Sequence, residues 1–342
     1  SLHPRHRRPP AVTSFLLVRL GALGDIVHAM PVVAALRAAH PAARIGWVVH
    51  PRFVPLVQVV QGVDRIHALD RRTGAGAIAE IRRARYDVCL DLQGLLKSAA
   101  VARLSGASRV IGFSRQWLRE PAASLAYTEV GGDGSGHVID KNLSLLARLG
   151  IDAGPPRFSL TIPETPAVPC TRQILHLGAE APFALINPGA AWSNKRWPAE
   201  RFGALARLLR DRHGLRSAIL WGPDEATLAA EVARASAGAA AMAPQTTMVE
   251  MLALARAARV VVSGDTGPLH LAAAAGTPVV GLFGPTPPSR NGPWDPRDRV
   301  VSAHANCTCV FKRQCSSSTW CLEGLDVDAV AAAVDARLAV AA

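Results

Sequence analysis

The chain has 342 residues, 49% of them hydrophobic, 19% charged and 5% aromatic, with a formal net charge of +12. That length and apolar content suffice for two domains with cores of their own, and no uninterrupted apolar run approaches the roughly 20 residues that span a bilayer. An integral helical membrane protein is thereby excluded. The surplus of cations calls for an acidic partner; with neither basic residues interleaved with aromatics nor a nucleic-acid module, an anionic membrane surface or a phosphorylated substrate is expected, and no nucleic acid.

Residues 1–13 are basic and proline-rich, without the apolar core of a secretory signal, and read as a disordered arm of a cytoplasmic protein. From residue 14, short β-branched runs alternate with amphipathic segments. Strands are predicted at 14–20, 44–49, 65–69, 86–91 and 108–112, and helices at 26–39, 52–60, 76–84, 95–105 and 138–149, the pattern of a parallel sheet with helices on both faces. The proline-rich stretch from Asp152 to Pro169 reads as a linker with one short strand at 158–162. The alternation then restarts, with strands at 183–187, 216–221, 259–263 and 278–283, helices at 198–213, 224–236, 246–257 and 268–275, and an alanine-rich helix from Val327 to Ala341. The expected fold is α/β, two Rossmann-like domains facing each other across a cleft, with bounds 14–160 and 161–342.

Four strand-to-helix loops carry the polar chemistry. In the first, the apolar run ending at Leu20 meets a turn, Gly21-Ala22-Leu23-Gly24, followed by Asp25 and, one helical turn on, His28. A carboxylate at the carboxyl end of a parallel strand sits where such sheets bind ligands, and it reads either as a reactive group or as a helix cap. The second loop runs from Asn187 to Pro198, where small residues such as Ala190 and Ala191 let backbone N–H groups approach a phosphate and Lys195 and Arg196 bring charge. The third places Asp224 just past a strand, either to accept ribose hydroxyls or to favour a helix start. In the fourth, Gly264-Asp265-Thr266-Gly267-Pro268-Leu269-His270 turns a strand into a helix whose first-turn N–H groups form a ready pyrophosphate site. Thr266, Gly267 and His270 are placed in that site. Asp265 is counted with them as the residue that holds the turn, since a carboxylate repels a dianion at close range.

These loops, in this order, resemble glycosyltransferase family 9, and within it the lipopolysaccharide heptosyltransferases. The resemblance rests on Gly24-Asp25-Ile26-Val27-His28 with Pro31, on Asp91-Leu92-Gln93-Gly94-Leu95-Leu96-Lys97-Ser98-Ala99, on Arg119-Glu120-Pro121 with Ser124-Leu125-Ala126-Tyr127, on Lys195-Arg196-Trp197-Pro198 and on Asp265 to His270. The 91–99 and 119–127 segments are most like the members that add the first heptose to the inner Kdo sugar of lipid A. The resemblance implies a GT-B fold and an inverting transfer of heptose from ADP-L-glycero-β-D-manno-heptose that requires no cofactor. It further implies an anionic Kdo-lipid A acceptor and a peripheral seat on the cytoplasmic face of the inner membrane. By it, Asp25 is the general base, Lys195 offsets charge on the departing ADP, and Asp224 takes the ribose. Thr266, Gly267 and His270 bind pyrophosphate, and Arg71, Arg72, Lys97 and Arg119 face the acceptor. This chain has Ala190, Ala191 and Trp192 where hydroxyl residues commonly precede the lysine, so phosphate contacts there fall to backbone N–H groups.

Three other readings stay open: a family 9 transferase with another nucleotide sugar or a protein acceptor, and a sugar-nucleotide 2-epimerase on the same architecture. Separately, Cys307, Cys309, Cys315 and Cys321 form a C-x-C-x5-C-x5-C cluster that can hold a structural zinc or iron through thiolates, the alternative being free thiols or an adventitious disulfide. Lys312 and Arg313 between them are expected to favour thiolates.

Overall fold

The computed structural model describes residues 13–340; the expected arm, apart from Thr13, lies outside the described residues. The chain divides into two compact units. One comprises the residues up to Gly21, Ala29–Ser135 and Ile139–Ser159; the other comprises Ala22–His28, Gly136–Val138 and the chain from Leu160 onward.

The first unit is built on a sheet of β1 (Ser14–Val18), β2 (Arg44–Val49), β3 (Arg65–Ala68), β4 (Val88–Asp91), β5 (Arg109–Phe113) and β6 (Glu129–Gly131), in the order β3-β2-β1-β4-β5-β6. Every neighbouring pair is parallel. Helices α1 (Leu23–Ala39), α2 (Val54–Gln58), α3 (Gly74–Ala84) and α4 (Leu96–Leu104) lie between these strands in sequence, and α5 (Val138–Ser144) follows the last of them. Central strand β1 is buried along its length, as a parallel strand covered on both faces must be. In α1, Ile26, Val27, Met30, Val33 and Leu36 are buried, and Arg37 ties the last turn down by donating to Pro41 O, Ala43 O, Gly62 O and the Asp64 carboxylate at 2.6 to 2.8 Å.

Two elements of this unit differ from the predicted ones. Strand β6 has three residues, too few to show alternation. It is secured from outside its own pattern, by a fork from Arg109 to the Glu129 carboxylate at 2.6 and 3.0 Å, which holds Glu129 below the usual carboxylate range. The predicted helix at 138–149 stops at Ser144 and continues as a 3-10 turn over Leu145–Leu149.

The second unit repeats the topology with β7 (Ala184–Asn187), β8 (Ser217–Ile219), β9 (Ala240–Met242), β10 (Val260–Gly264), β11 (Val279–Phe283) and β12 (Arg299–Ser302), ordered β12-β11-β10-β7-β8-β9 and again parallel throughout. Its helices are α6 (Ala167–Ile174), α7 (Ala199–His213), α8 (Ala226–Ala235), α9 (Met248–Ala257), α10 (Gly267–Ala274), α11 (Pro288–Asn291) and α12 (Val327–Val340). Alternate residues of β7 face opposite sides. Ala184 and Ile186 join a core with Trp197, Phe202, Leu205 and Val334, and Phe183 and Leu185 join another with Leu254, Leu269 and Ala272. Both sheets reverse strand order beside their first strand, at β1/β4 and β7/β10, the crevice where open α/β sheets bind ligands.

Helix α6 falls where the proline content predicts linker. Pro166 and Pro169 occupy its N-cap and first turn, where a missing N–H leaves no bond unmade. The predicted strand at 158–162 is reduced to a single bridge residue, Leu160. Strands β9 and β12 are unpredicted edge strands, the first with two alanines in three residues and the second half-exposed.

Arg337 of α12 donates to Asp298 at 2.7 Å, and both side chains are buried. Burial pushes the Asp298 carboxyl up in spite of that partner and of the Val279 N–H that it also accepts. Arg337→Ala is expected to lower stability by about 3–5 kcal/mol, visible as an earlier thermal unfolding transition. The double change Arg337→Met/Asp298→Asn is expected to recover much of the loss.

Candidate active site

The second unit concentrates its polar side chains where β7 and β10 end. Asp265, immediately after β10, is 5% exposed and takes donors from three other elements. Lys195 Nζ reaches its Oδ2 at 2.5 Å, and Thr286 Oγ1 reaches the same oxygen at 2.5 Å. Asn291 Nδ2 reaches Oδ1 at 2.5 Å, with His270 Nε2 3.3 Å from Oδ1. Burial alone pushes this carboxyl up, but His270 and Lys195 outweigh it and hold the group far below the usual range.

Asn187, at the end of β7, sits beside Ser263 in register. Its Nδ2 donates to Ser263 Oγ, Thr266 Oγ1 and Gly189 O at 3.0 to 3.1 Å, locking the loop after β7 to the loop after β10. Thr266 is the N-cap of α10, and Gly267 and Pro268 begin the helix, so its first N–H groups face out of the strand end. Gly264 admits the Lys195 backbone, since a Cβ there would come within 2.8 Å of the Lys195 carbonyl oxygen.

Lys195 ends a 3-10 turn, Ser193–Lys195, with its ammonium 4.6 Å from the Trp192 ring centroid. The turn is clamped from behind. Asn194, 1% exposed, donates to Cys309 Sγ and Lys312 O, Trp320 Nε1 donates to Arg196 O at 2.7 Å, and Trp197 Nε1 and Arg201 both donate to Leu325 O. Ala190 is buried and accepts from Arg196 Nε at 2.9 Å, while Ala191 is exposed. Of the acidic pair after β8, Asp224 is exposed. Glu225 accepts from Gly222 N at 2.9 Å and lies over Gly189, where a Cβ would come within 2.1 Å of its Oε2.

The first turn of α1 groups with the second unit. Gly24 packs on the His270 ring, with room for no Cβ. Asp25 follows, half-buried, accepting from Ala22 N at 3.1 Å. His28 is buried, its ring centroid 4.4 Å from that of His270 and 5.6 Å from that of His137, and His137 Nε2 meets Gly292 O at 2.9 Å. The fold thus gathers Asp25, Lys195, Asp265, Thr266, Gly267 and His270 on neighbouring loops of one unit.

Arg71, Arg72, Lys97 and Arg119 are exposed in the first unit, beyond the ends of β3, β4 and β5. The segments of Lys97 and Arg119 are joined, Leu96 N donating to Glu120 Oε2 at 2.6 Å. Arg71 and Arg72 follow Asp70, whose carboxylate closes the turn on Arg72 N and Thr73 N. Asp91, at the end of β4, is buried, with Oδ2 accepting from Ser98 and Tyr127 and Oδ1 from Gln93 N and Gly94 N, so the motif around it organises the loop.

Cys307, Cys309, Cys315 and Cys321 line one cavity of about 450 Å³, with Cys307 Sγ 3.6 Å from Cys309 Sγ. All are thiols. Among the described residues, no group of three or more His, Cys, Asp or Glu side chains is arranged to hold a metal ion. Burial pushes the Cys307 and Cys321 thiols up, against the thiolates that Lys312 and Arg313 were expected to favour.

Thr286 and Asn291 escape the sequence reading, and Asn187 and Glu225 are given no role in it, although Thr286 stands just past β11 in Gly284-Pro285-Thr286-Pro287, another strand-end turn. Because the Asp265 carboxyl titrates below its unfolded value, its ionised form stabilises the fold fully above the ordinary carboxylate range. That contribution is lost only as pH falls through the depressed native value. Asp265→Asn is therefore expected to cost about 3 kcal/mol or more at pH 7 and still at pH 5, read from denaturant midpoints at the two values.

A family profile described as glycosyltransferase family 9 (heptosyltransferase) matches residues 77–321. The chain is 28% identical to lipopolysaccharide heptosyltransferase 1 of Pseudomonas aeruginosa, over 88% of this chain and 87% of the relative. Among solved structures, E. coli heptosyltransferase WaaC with ADP superposes with a TM-score of 0.70 at 26% identity, covering 88% of this chain and 94% of that one. The same enzyme with ADP-2-deoxy-2-fluoro heptose gives 0.67 at 28%, covering 88% and 96%. With two parallel Rossmann-like sheets and these loops at their strand ends, the chain belongs to glycosyltransferase family 9 and is a GT-B transferase enzyme.

Proposed function

We propose that this enzyme transfers heptose from ADP-L-glycero-β-D-manno-heptose to a Kdo sugar of the lipopolysaccharide inner core, with inversion and without a metal requirement, at an anionic membrane surface. The observation that carries the reading is the Lys195–Asp265–His270 constellation at the ends of β7 and β10, beside the start of α10. A cation held in place next to helix N–H groups is what a departing nucleoside diphosphate demands. Support for the donor comes from relatives that hold ADP and a fluorinated ADP-heptose.

In this reading the acceptor hydroxyl attacks the anomeric carbon while its proton passes to the Asp25 carboxylate, and the bond from that carbon to the ADP oxygen breaks with its electron pair leaving on phosphate. The transition state is oxocarbenium-like, as in glycoside hydrolysis, so negative charge grows on ADP as Lys195, Thr266, Gly267 and His270 meet it. The ribose hydroxyls fall to the acidic pair after β8: to Asp224 by family resemblance and to Glu225 by its seat over Gly189. Arg71, Arg72, Lys97 and Arg119 supply cations for the anionic acceptor.

Release of ADP from ADP-heptose, with and without de-acylated Kdo-lipid A, tests the reading. Turnover is expected to need the acceptor and to give a product one heptose heavier. Asp25→Asn is expected to lower kcat by about 10²- to 10⁴-fold, and Lys195→Ala by about 10²-fold or more. Donor turnover without acceptor would mark an epimerase, and a product with a different sugar or acceptor would reassign the substrates. Asp224→Asn and Glu225→Gln, compared in the same assay, are expected to raise the donor KM for whichever carboxylate holds the ribose.

A further inference from the structure

Helix α4 presents two contrasting faces. Ser98, Ala99, Val101 and Ala102 are buried, as the 3.6-residue period requires of a helix packed on a sheet. The opposite face, Leu96, Lys97, Ala100, Arg103 and Leu104, is exposed, with Leu96 54% and Leu104 49% accessible. The neighbouring 3-10 turn, Pro121–Ala126, buries Ala123 and leaves Leu125 83% exposed. The two elements are joined by the Leu96 N to Glu120 Oε2 hydrogen bond, and Arg119 lies exposed at the start of the turn. Three large leucines outside any core, on two adjoining elements and interspersed with three cations, form a surface that water alone does not favour.

We infer that the outer face of α4 and the Pro121–Ala126 turn dock this enzyme on an anionic lipid bilayer, the leucines entering the headgroup boundary and Arg103 pairing with lipid phosphates beside the acceptor-facing Lys97 and Arg119. This deepens the membrane-surface reading above by naming the face that makes the contact. Interfacial helices of this kind combine an apolar strip with lysine and arginine whose stems lie along it, and the basic groups add attraction that falls off within a Debye length. A second protein copy would meet the same three cations with its own, a like-charge juxtaposition that disfavours self-association through this face.

The test is co-sedimentation of the full chain with vesicles of phosphatidylcholine containing phosphatidylglycerol, and with vesicles of phosphatidylcholine alone. The chain is expected to pellet with the anionic vesicles and to be released by high salt. Leu104→Asp/Leu125→Asp, and separately Arg103→Glu, are expected to weaken the partition by about tenfold or more while keeping the thermal transition and the turnover of a water-soluble, de-acylated acceptor. Absence of binding to anionic vesicles would overturn the inference, as would equal binding by the leucine variant. A dimer that forms without lipid and dissolves on the leucine substitutions would overturn it in favour of a second copy of the chain. The vesicle measurement involves no sugar transfer, so it stands or falls apart from the substrate assignment.

Discussion

One buried carboxylate fixes the arrangement on which the rest of the second unit's chemistry depends. Asp265 cannot be taken out of water as an anion unless donors surround it, and the fold meets that condition with Lys195 from the loop after β7, His270 from α10, and Thr286 and Asn291 from the chain after β11. The demand of a single ion therefore positions three other elements. Lys195 in turn is kept from wandering as an exposed lysine would: its charge is compensated at rest and stays beside the N–H groups of α10, so little reorganisation is left for the moment when a phosphate group takes on charge.

The two sheets share one topology, and each puts its polar loops at the same place in it. In the first unit the reversal at β1/β4 sets the Asp91 loop beside the end of β1. In the second, the reversal at β7/β10 lets one amide, Asn187, span both loops. The division of labour follows from composition. The first unit offers exposed arginines and lysines on solvent-facing loops, suited to a large anionic partner, and the second offers a desolvated, preorganised cluster suited to a compact anion.

The sheet cores were legible in the sequence because β1, β2, β7, β10 and β11 are short, mostly apolar runs that the fold buries almost completely. What escaped was set by contacts distant in sequence. Strand β6 exists through Arg109 and Glu129, α6 through prolines that its first turn tolerates, and β9 through alanines that carry no alternation. The same division holds at the site. Asp25, Lys195 and the Asp265 to His270 turn could be read because glycine, proline and a strand end mark them locally. The partners of Asp265 that come from beyond β11, and the seat of Glu225 over Gly189, exist only once the sheet has brought separate loops together. The thiol cluster was legible as spacing, but spacing does not reveal desolvation, and the environment of Cys307 and Cys321 runs against the thiolate that the nearby cations suggested.

The clamp behind Lys195 carries a consequence for how this chain can change over generations. Trp320 and Arg196 are 124 positions apart yet share a hydrogen bond, and Asn194 is held by Cys309 and by the carbonyl of Lys312. The segment from Cys309 to Leu325 touches no reacting atom in the proposed chemistry, yet it sets the seat of a residue that does. A substitution in either segment alters the space and the donors available to the other, so the two are constrained to vary as a pair. Descendants of this sequence that keep the lysine but lose its backing loop would have to find a new support for it.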